Sequence, residues 1–257
     1  MSIYLVSGIK GQDGQIIAEL LSKKGHVVIG ISHGSGKEEV LGCSKIYYWN
    51  WKSELGLHSI IEDIKPDFFI NFATYHTPST GDGKNFNIHK EMFDVNLTGL
   101  SMILRSILIK SPKTIFIHAS SSQVYSATGP GEIVNENSEK NPSTFYGYTK
   151  LSGMSMIDFY RKEHKLNASS AIFFNHESTF RSCEFVSRKI SKTVAEIKLG
   201  KKEFLTLRNV GAKADISSAY DLVKGVILMA QKSNNTDYIF SSFKSTSVLD
   251  LVKFAFE

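Results

Sequence analysis

Apolar positions along this chain follow two rhythms that take turns. Residues 2–7 (SIYLVS), 26–31 (HVVIGI), 67–72 (DFFINF), 114–119 (TIFIHA) and 169–174 (SSAIFF) are short apolar runs of the kind that form buried strands. Between them, residues 12–24 place Ile16, Ile17, Leu20 and Leu21 at helical spacing, and Gly25 stops the helix. Residues 57–65 read as a helix ending before Pro66, 91–110 as a long amphipathic helix, 146–164 as another, and 248–256 as a helix-like end. Strands alternating with helices predict the α/β class: a Rossmann-type doubly wound parallel sheet, covered on both faces. The alternation weakens after Asn175. Residues 1–174 are therefore read as the dinucleotide-binding domain. Residues 175–257 are read as a small, abbreviated C-terminal substrate-binding subdomain, interleaved with the last sheet elements. The polar segment 126–143 is expected to be a surface loop.

Composition narrows the function classes. The 257 residues are 42% hydrophobic and 21% charged, ordinary globular usage that supports a core without disulfides or metals. Cys43 and Cys183 form no CxxC pair and no metal-ligand spacing, so buried reduced thiols are expected and no metal site. The opening MSIYLVSG has no basic or long apolar leader, and no apolar run approaches the ~20 residues of a membrane span. A cytoplasmic protein without a membrane partner is expected. The net charge is +5 and the pI about 9.0, yet the lysines are scattered, so nucleic acid is not an expected partner.

The first strand runs into Gly8, Gly11 and Gly14 and then a helix, with a second strand following. That context is what a dinucleotide fold needs: glycines for the turn, and helix N–H groups for a pyrophosphate. The second strand ends Gly30-Ile-Ser-His33-Gly34, without the acidic residue that grips a ribose 2′-OH. His33 and Lys37 could face a 2′-phosphate instead. NADP is the expected cofactor, with NAD still open.

Tyr146 and Lys150 stand four residues apart, on one face of a helix. An ammonium beside the phenol predicts a Tyr146 pKa below its usual ~10, so that it exchanges a proton with a hydroxyl while a nicotinamide takes the hydride. Tyr148 competes for the role but points elsewhere than Lys150. The serines at 120–122 follow a strand, where a hydroxyl can bind the reacting oxygen.

Together these patches resemble the extended short-chain dehydrogenase/reductases. The Gly11-Gln12-Asp13-Gly14 turn, residues 119–125, Asn175-His176-Glu177-Ser178, residues 185–190 and, more loosely, 207–223 resemble the GDP-mannose 4,6-dehydratase branch. The resemblance implies a cycle in which a GDP-hexose is oxidised at C4 by NADP, water is eliminated across C5 and C6, and the hydride returns to C6. It implies Tyr146 as the base at C4, Lys150 as its support, and Ser121 at a position where the family has threonine. It places Gln12, Asp13, His176 and Arg181 against the cofactor, Asn50 and Trp51 at its adenine side, and Phe72 and Ala73 in a cofactor loop. Asn175 and Lys189 fall at positions that hold the sugar nucleotide; for Lys189, an ammonium near a diphosphate is a sound pairing. It also implies a homodimer or homotetramer, paired through helices like 91–110 and 146–164.

Several positions depart from that branch. Gln123 stands where the family has its acid/base glutamate, and a neutral amide does no general base work. Ala214 stands at an arginine position, residues 72–75 replace Leu-Gly-Ala-Gln, Asn50-Trp51 replaces Asp-Leu, and the sequence stops at Glu257 where relatives continue. The expected function is a nucleotide-sugar-modifying enzyme with hydride transfer at C4. The alternatives are a GDP-4-keto-sugar reductase or C4 oxidase that does not dehydrate, and a non-catalytic dinucleotide-binding protein.

Overall fold

Each central strand divides its side chains between two cores. In β1 (Ile3–Ser7), Tyr4 and Val6 face one way and Leu5 the other. The same alternation separates Ile70 from Phe69 in β4 (Phe68–Asn71) and Ile117 from Phe116 in β5 (Ile115–Ser121). With β2 (Val27–Ser32), β3 (Lys45–Tyr48), β6 (Ala168–Phe173) and β9 (Tyr238–Phe240) they form a seven-stranded sheet, ordered β3-β2-β1-β4-β5-β6-β9 and parallel throughout. The computed structural model describes residues 1–34, 39–76, 86–125 and 133–257. Lys37 and the first part of the expected 126–143 loop lie outside the described residues.

Helices cover both faces. Ile16, Ile17 and Leu21 of α1 (Gln12–Lys23) share one core with Val223, Val226 and Ile227 of α7 (Ala219–Lys232). On the other face, Leu57 and Ile61 of α2 (Glu54–Ile64) meet Leu100, Ile103 and Leu104 of α4 (Gly99–Lys110) and Ile157 of α5 (Phe145–His164). These stripes are the helical periodicity visible in the sequence. The expected doubly wound parallel sheet is the fold observed.

The helix expected at 91–110 begins earlier. α3 (Phe86–Phe93), a π-helical turn (Asp94–Thr98) and α4 make one run of 25 residues containing an 18-residue stretch of mean hydropathy 1.4, long and apolar enough by length and composition to cross a membrane. This corrects the expectation that no such run exists. Its apolar residues Leu100, Ile103, Leu104 and Ile107 are buried against the sheet and α2.

Beyond residue 174 lies a second, three-stranded sheet of β7 (Asn175–Glu177), β8 (Lys213–Ser218) and β10 (Ser245–Ser247), in the order β10-β8-β7. α6 (Val186–Lys198) and α8 (Val248–Phe256) pack together beside it. The same region returns α7 and β9 to the main sheet, and Phe174 N–H bonds the Phe240 carbonyl there at 3.0 Å.

Candidate active site

β1 leads outward to β2, whereas β4, its neighbour on the other side, leads to β5. The strand order reverses between them, and a crevice forms at their carboxyl ends. The glycine turn lies there. Gly8 has φ +73°, and a Cβ on it would stand 2.7 Å from the Ala73 nitrogen, so the turn rests directly on the chain leaving β4. Gly11 N–H closes the turn on the Gly8 carbonyl at 2.9 Å. Gly11 then caps α1 without a side-chain acceptor, and Gly14 is buried in the first helical turn. The end of α1 thus offers backbone N–H groups without a side-chain acceptor, a fit for a dinucleotide's phosphates.

A polar lock joins that helix end to β7. The Asp13 carboxylate meets His176 Nε2 at 3.1 Å through each oxygen, and His176 Nδ1 lies 2.8 Å from the Phe174 carbonyl. Gln12 donates to the His176 carbonyl at 3.1 Å and accepts from the Ser178 hydroxyl at 2.9 Å. Burial alone lowers the His176 pKa, but Asp13's charge and hydrogen bond, with the Phe174 carbonyl, raise it above its ordinary value. Gln12, Asp13 and His176, which the resemblance places against the cofactor, thus form one cluster with Ser178.

α5 carries Tyr146 and Lys150 on one face, with the Lys150 Nζ 5.6 Å from the centroid of the Tyr146 ring. Its start is fixed by Thr144, whose hydroxyl accepts from Gly147 N–H at 3.0 Å and donates to Gln123 Oε1 at 2.8 Å. A Cβ on Gly147 would lie 2.3 Å from the Gln123 carbonyl oxygen, so only glycine lets the helix sit on that residue. Ser121, at the end of β5, takes the Gln123 N–H at 3.2 Å and hydrogen-bonds Tyr146. The expected set Ser121, Gln123, Tyr146 and Lys150 is therefore brought together.

The expected fall in the Tyr146 pKa is corrected. Burial pushes the phenol up to about 12, against side-chain hydrogen bonding with Thr74 and Ser121 and the charge of Arg181. Burial likewise brings Lys150, 1% exposed, down to about 7, and its Nζ donates to the Ala119 carbonyl at 2.8 Å. In a dry pocket neither partner gains enough from the other to offset lost hydration.

The chain leaving β4 contributes residues that pattern reading missed. Thr74 donates to Asn96 Oδ1 at 3.1 Å, and Asn96 bonds both the N–H and the carbonyl of Tyr75, at 2.8 and 3.2 Å. Asn96 also donates to Thr149 of α5 at 3.0 Å. It sits in the π-helical turn, buried, a device frequent at functional sites. A polar residue inside an apolar helical stripe was its one signal. His76 follows: its ring centroid is 4.3 Å from that of Tyr146 and 5.9 Å from Phe185, near-parallel to the latter at 16°. Arg181 lies over Phe185 at 3.9 Å and pairs with Glu177 at 3.2 Å.

Other expected residues stand apart from this cluster. His33 and Asn50 are exposed near the β2 and β3 ends, and Trp51 is half-buried against the α2 core. Phe72 keeps its ring in the core, stacked on Phe173 at 6.3 Å, while its backbone and that of Ala73 meet the glycine turn. Asn175 is exposed on β7. Lys189 donates to the Thr206 carbonyl at 3.1 Å, at the rim of a cavity of about 400 Å³ shared with Thr193, Lys202 and Phe204. Both cysteines are free; Cys183 is exposed and Cys43 half-buried, which corrects the expectation of buried thiols. Among the described residues no group of His, Cys, Asp or Glu has a metal-binding arrangement.

A family model described as GDP-mannose 4,6 dehydratase matches residues 5–257. The chain belongs to the GDP-mannose 4,6-dehydratase family. A GDP-mannose 4,6-dehydratase of Sinorhizobium fredii is 31% identical over 99% of this chain and 76% of its own length. The Homo sapiens GDP-mannose 4,6 dehydratase is 32% identical, over 99% and 72%. Among solved structures, the Thermus thermophilus UDP-glucose 4-epimerase in complex with NAD superposes with a TM-score of 0.86 at 18% identity, covering 98% of this chain and 82% of that one. Family and fold make this a nucleotide-sugar-modifying enzyme of the short-chain dehydrogenase/reductase type, as the sequence led one to expect.

Proposed function

We propose that this member of the GDP-mannose 4,6-dehydratase family binds NADP over the glycine turn and removes water from a GDP-hexose, with Tyr146 exchanging the proton of the C4 hydroxyl. One observation carries the reading: Tyr146, Lys150 and Ser121 converge where β5 and the start of α5 meet. Residues 1–174 serve the dinucleotide, and 175–257 the sugar nucleotide.

When bound, the nicotinamide supplies the hydride acceptor for C4 and the donor for C6. The chain does the rest. The backbone N–H groups of the Gly8–Gly14 turn, those of Gln12 and Asp13 included, hold the phosphates, while the Asp13 carboxylate is turned away to its charge partner His176. The lack of an acidic side chain after Ser32, with His33 exposed beside it, favours a 2′-phosphate and hence NADP over NAD. Ser121 binds the C4 oxygen and Tyr146 takes its proton. Lys150, with its ammonium already depressed by burial, sets the charge that Tyr146 feels when it ionises. Arg181 adds a second cation on the same side. Asn175 and Lys189 hold the nucleotide end, Lys189 from the rim of the 400 Å³ cavity. A homodimer or homotetramer is supported by α5, which presents Tyr148 and Phe159 more than half exposed, and by α4, which presents Ile109 likewise.

The test is a product mass. Incubation with NADP and GDP-mannose should yield a nucleotide sugar lighter by one water, with no net consumption of NADP. Oxidation that stops at the 4-keto sugar would replace this reading with the C4 oxidase. Tight dinucleotide binding without turnover of any nucleotide sugar would replace it with the scaffold.

A further inference from the structure

Position 123 leaves the reaction short of a proton carrier. Gln123 cannot take a proton, and its amide oxygen is occupied by the Thr144 hydroxyl at the cap of α5. Removing water across C5 and C6 still needs a group that accepts the C5 proton and protonates the departing hydroxyl. His76 is the only histidine ring that the described residues bring against Tyr146. It sits where the chain leaves β4, on the crevice side, and its orientation is fixed. The ring meets Tyr146 edge-on at 62° and lies near-parallel to Phe185, the cap of α6. Asn96 pins the adjoining Tyr75 backbone at both its N–H and its carbonyl. Such a held imidazole lies beside the phenol proposed to handle C4, and C5 is the carbon bonded to C4.

We propose that His76 is the acid/base for the elimination, doing the work that a carboxylate at position 123 would otherwise do. This rests on the dehydratase reading above. The C4 ketone, formed by hydride transfer to the bound nicotinamide dinucleotide, acidifies C5–H. That bond breaks to an imidazole nitrogen of His76, and its electron pair becomes the C5–C6 double bond. The C6–O bond breaks, and the hydroxyl leaves as water with the proton returned by the imidazolium. The step is redox-neutral, and His76 ends as it began. Among the described residues, the charged and titratable groups near the ring include Tyr146 on one side, Arg181 behind Phe185, Lys150 beneath Tyr146, and Asp13, whose charge reaches Tyr146.

The experiment compares the wild type with His76→Phe, which keeps the ring stack, and His76→Ala. GDP-mannose and NADP are supplied in heavy water. Single-turnover formation of reduced dinucleotide reports the C4 step; deuterium at C5 and loss of water report the elimination. His76→Phe should keep the C4 step within a few-fold and lose C5 exchange and water loss by roughly 10²–10⁴-fold. Free imidazole should restore C5 exchange in His76→Ala, with the pH dependence of imidazole itself. Addition of GDP-mannose to the cofactor-free wild type should also shift the nuclear resonance titration of the His76 ring. Unimpaired water loss in His76→Phe overturns the proposal. So does a parallel fall of both steps without rescue by imidazole, which would make His76 mere packing for Tyr146. A wild type that reduces no dinucleotide with any GDP-hexose sinks the site reading itself, and this proposal with it.

Discussion

Asp13 and His176, 163 residues apart, hold each other through both carboxylate oxygens, each 3.1 Å from Nε2. The other ring nitrogen faces a carbonyl, so both nitrogens face acceptors, an arrangement that the doubly protonated ring satisfies in full. The folded pKa of His176 is raised above its ordinary value. Its contribution to stability is therefore complete below about 6.5, the unfolded value, and is lost as pH rises through the folded pKa. Asp13→Asn should lower Tm by roughly 4–8 °C at mildly acid pH, from about 2 kcal/mol of charge-assisted hydrogen bonding. The gap should narrow in alkali. Thermal melts of both proteins across pH check this; a gap that does not change with pH would mean a neutral ring.

Lys150 presents the opposite sign. Burial brings its folded pKa to about 7, while the unfolded side chain titrates near ~10.4. Below the folded value the buried ammonium costs stability in full, and the cost fades as pH rises toward the unfolded value. Lys150→Met, which fills the same space without charge, should raise stability by about 1–4 kcal/mol at pH 7 or below. That gain should vanish near pH 10. The same variant should lose the C4 hydride step, since Tyr146, already pushed up to about 12, would ionise with even less support. Denaturant melts and single-turnover absorbance measure the two halves. A variant both less stable at pH 7 and fully active would overturn the account.

How far the sequence led can be judged from these residues. Gly8, Tyr146 and Lys150 were legible because their chemistry follows from local spacing. The five central strands were legible because they are apolar on both faces. β3 was missed: Lys-Ile-Tyr-Tyr is a short, half-exposed edge with no continuous apolar run. α7 was missed although it buries seven residues, because it lies in a stretch where strand–helix alternation had been lost. The Asp13–His176 lock spans most of the chain and leaves no local trace; only the family resemblance placed both ends at one site. The Tyr146 pKa was misjudged because spacing shows which charges are near, whereas hydration depends on burial.

Asn96 gives the third prediction. One buried amide ties the Thr74–Tyr75 backbone to Thr149, and so the loop bearing His76 to the helix bearing Tyr146. Asn96→Ala should cost about 1–3 kcal/mol through the partners it leaves unpaired. It should also free the Tyr75 amide, whose hydrogen exchange should approach that of an exposed loop while the core strands stay protected. Hydrogen-exchange mass spectrometry on peptides covering 72–76 reads this directly. Uniform loss of protection across the sheet would instead show that Asn96 supports the fold as a whole.

The last prediction concerns Gln123 and separates its role from that of His76. Thr144 donates to Gln123 Oε1, and a carboxylate there would accept the same hydrogen bond more strongly. Its second oxygen would remain for a proton. Gln123→Glu should therefore leave the α5 cap intact, shift Tm little, and provide a second acid/base in the site. In His76→Phe, where elimination is expected to fail, the added Gln123→Glu should recover a large part of the lost water elimination, within the roughly 10²–10⁴-fold that one general base supplies. In the wild-type background it should add far less, since His76 already carries the proton. Product mass with GDP-mannose distinguishes the cases. A large gain from Gln123→Glu alone, with no loss from His76→Phe, would show that the amide at 123 is what limits the cycle and that the imidazole takes no part in it.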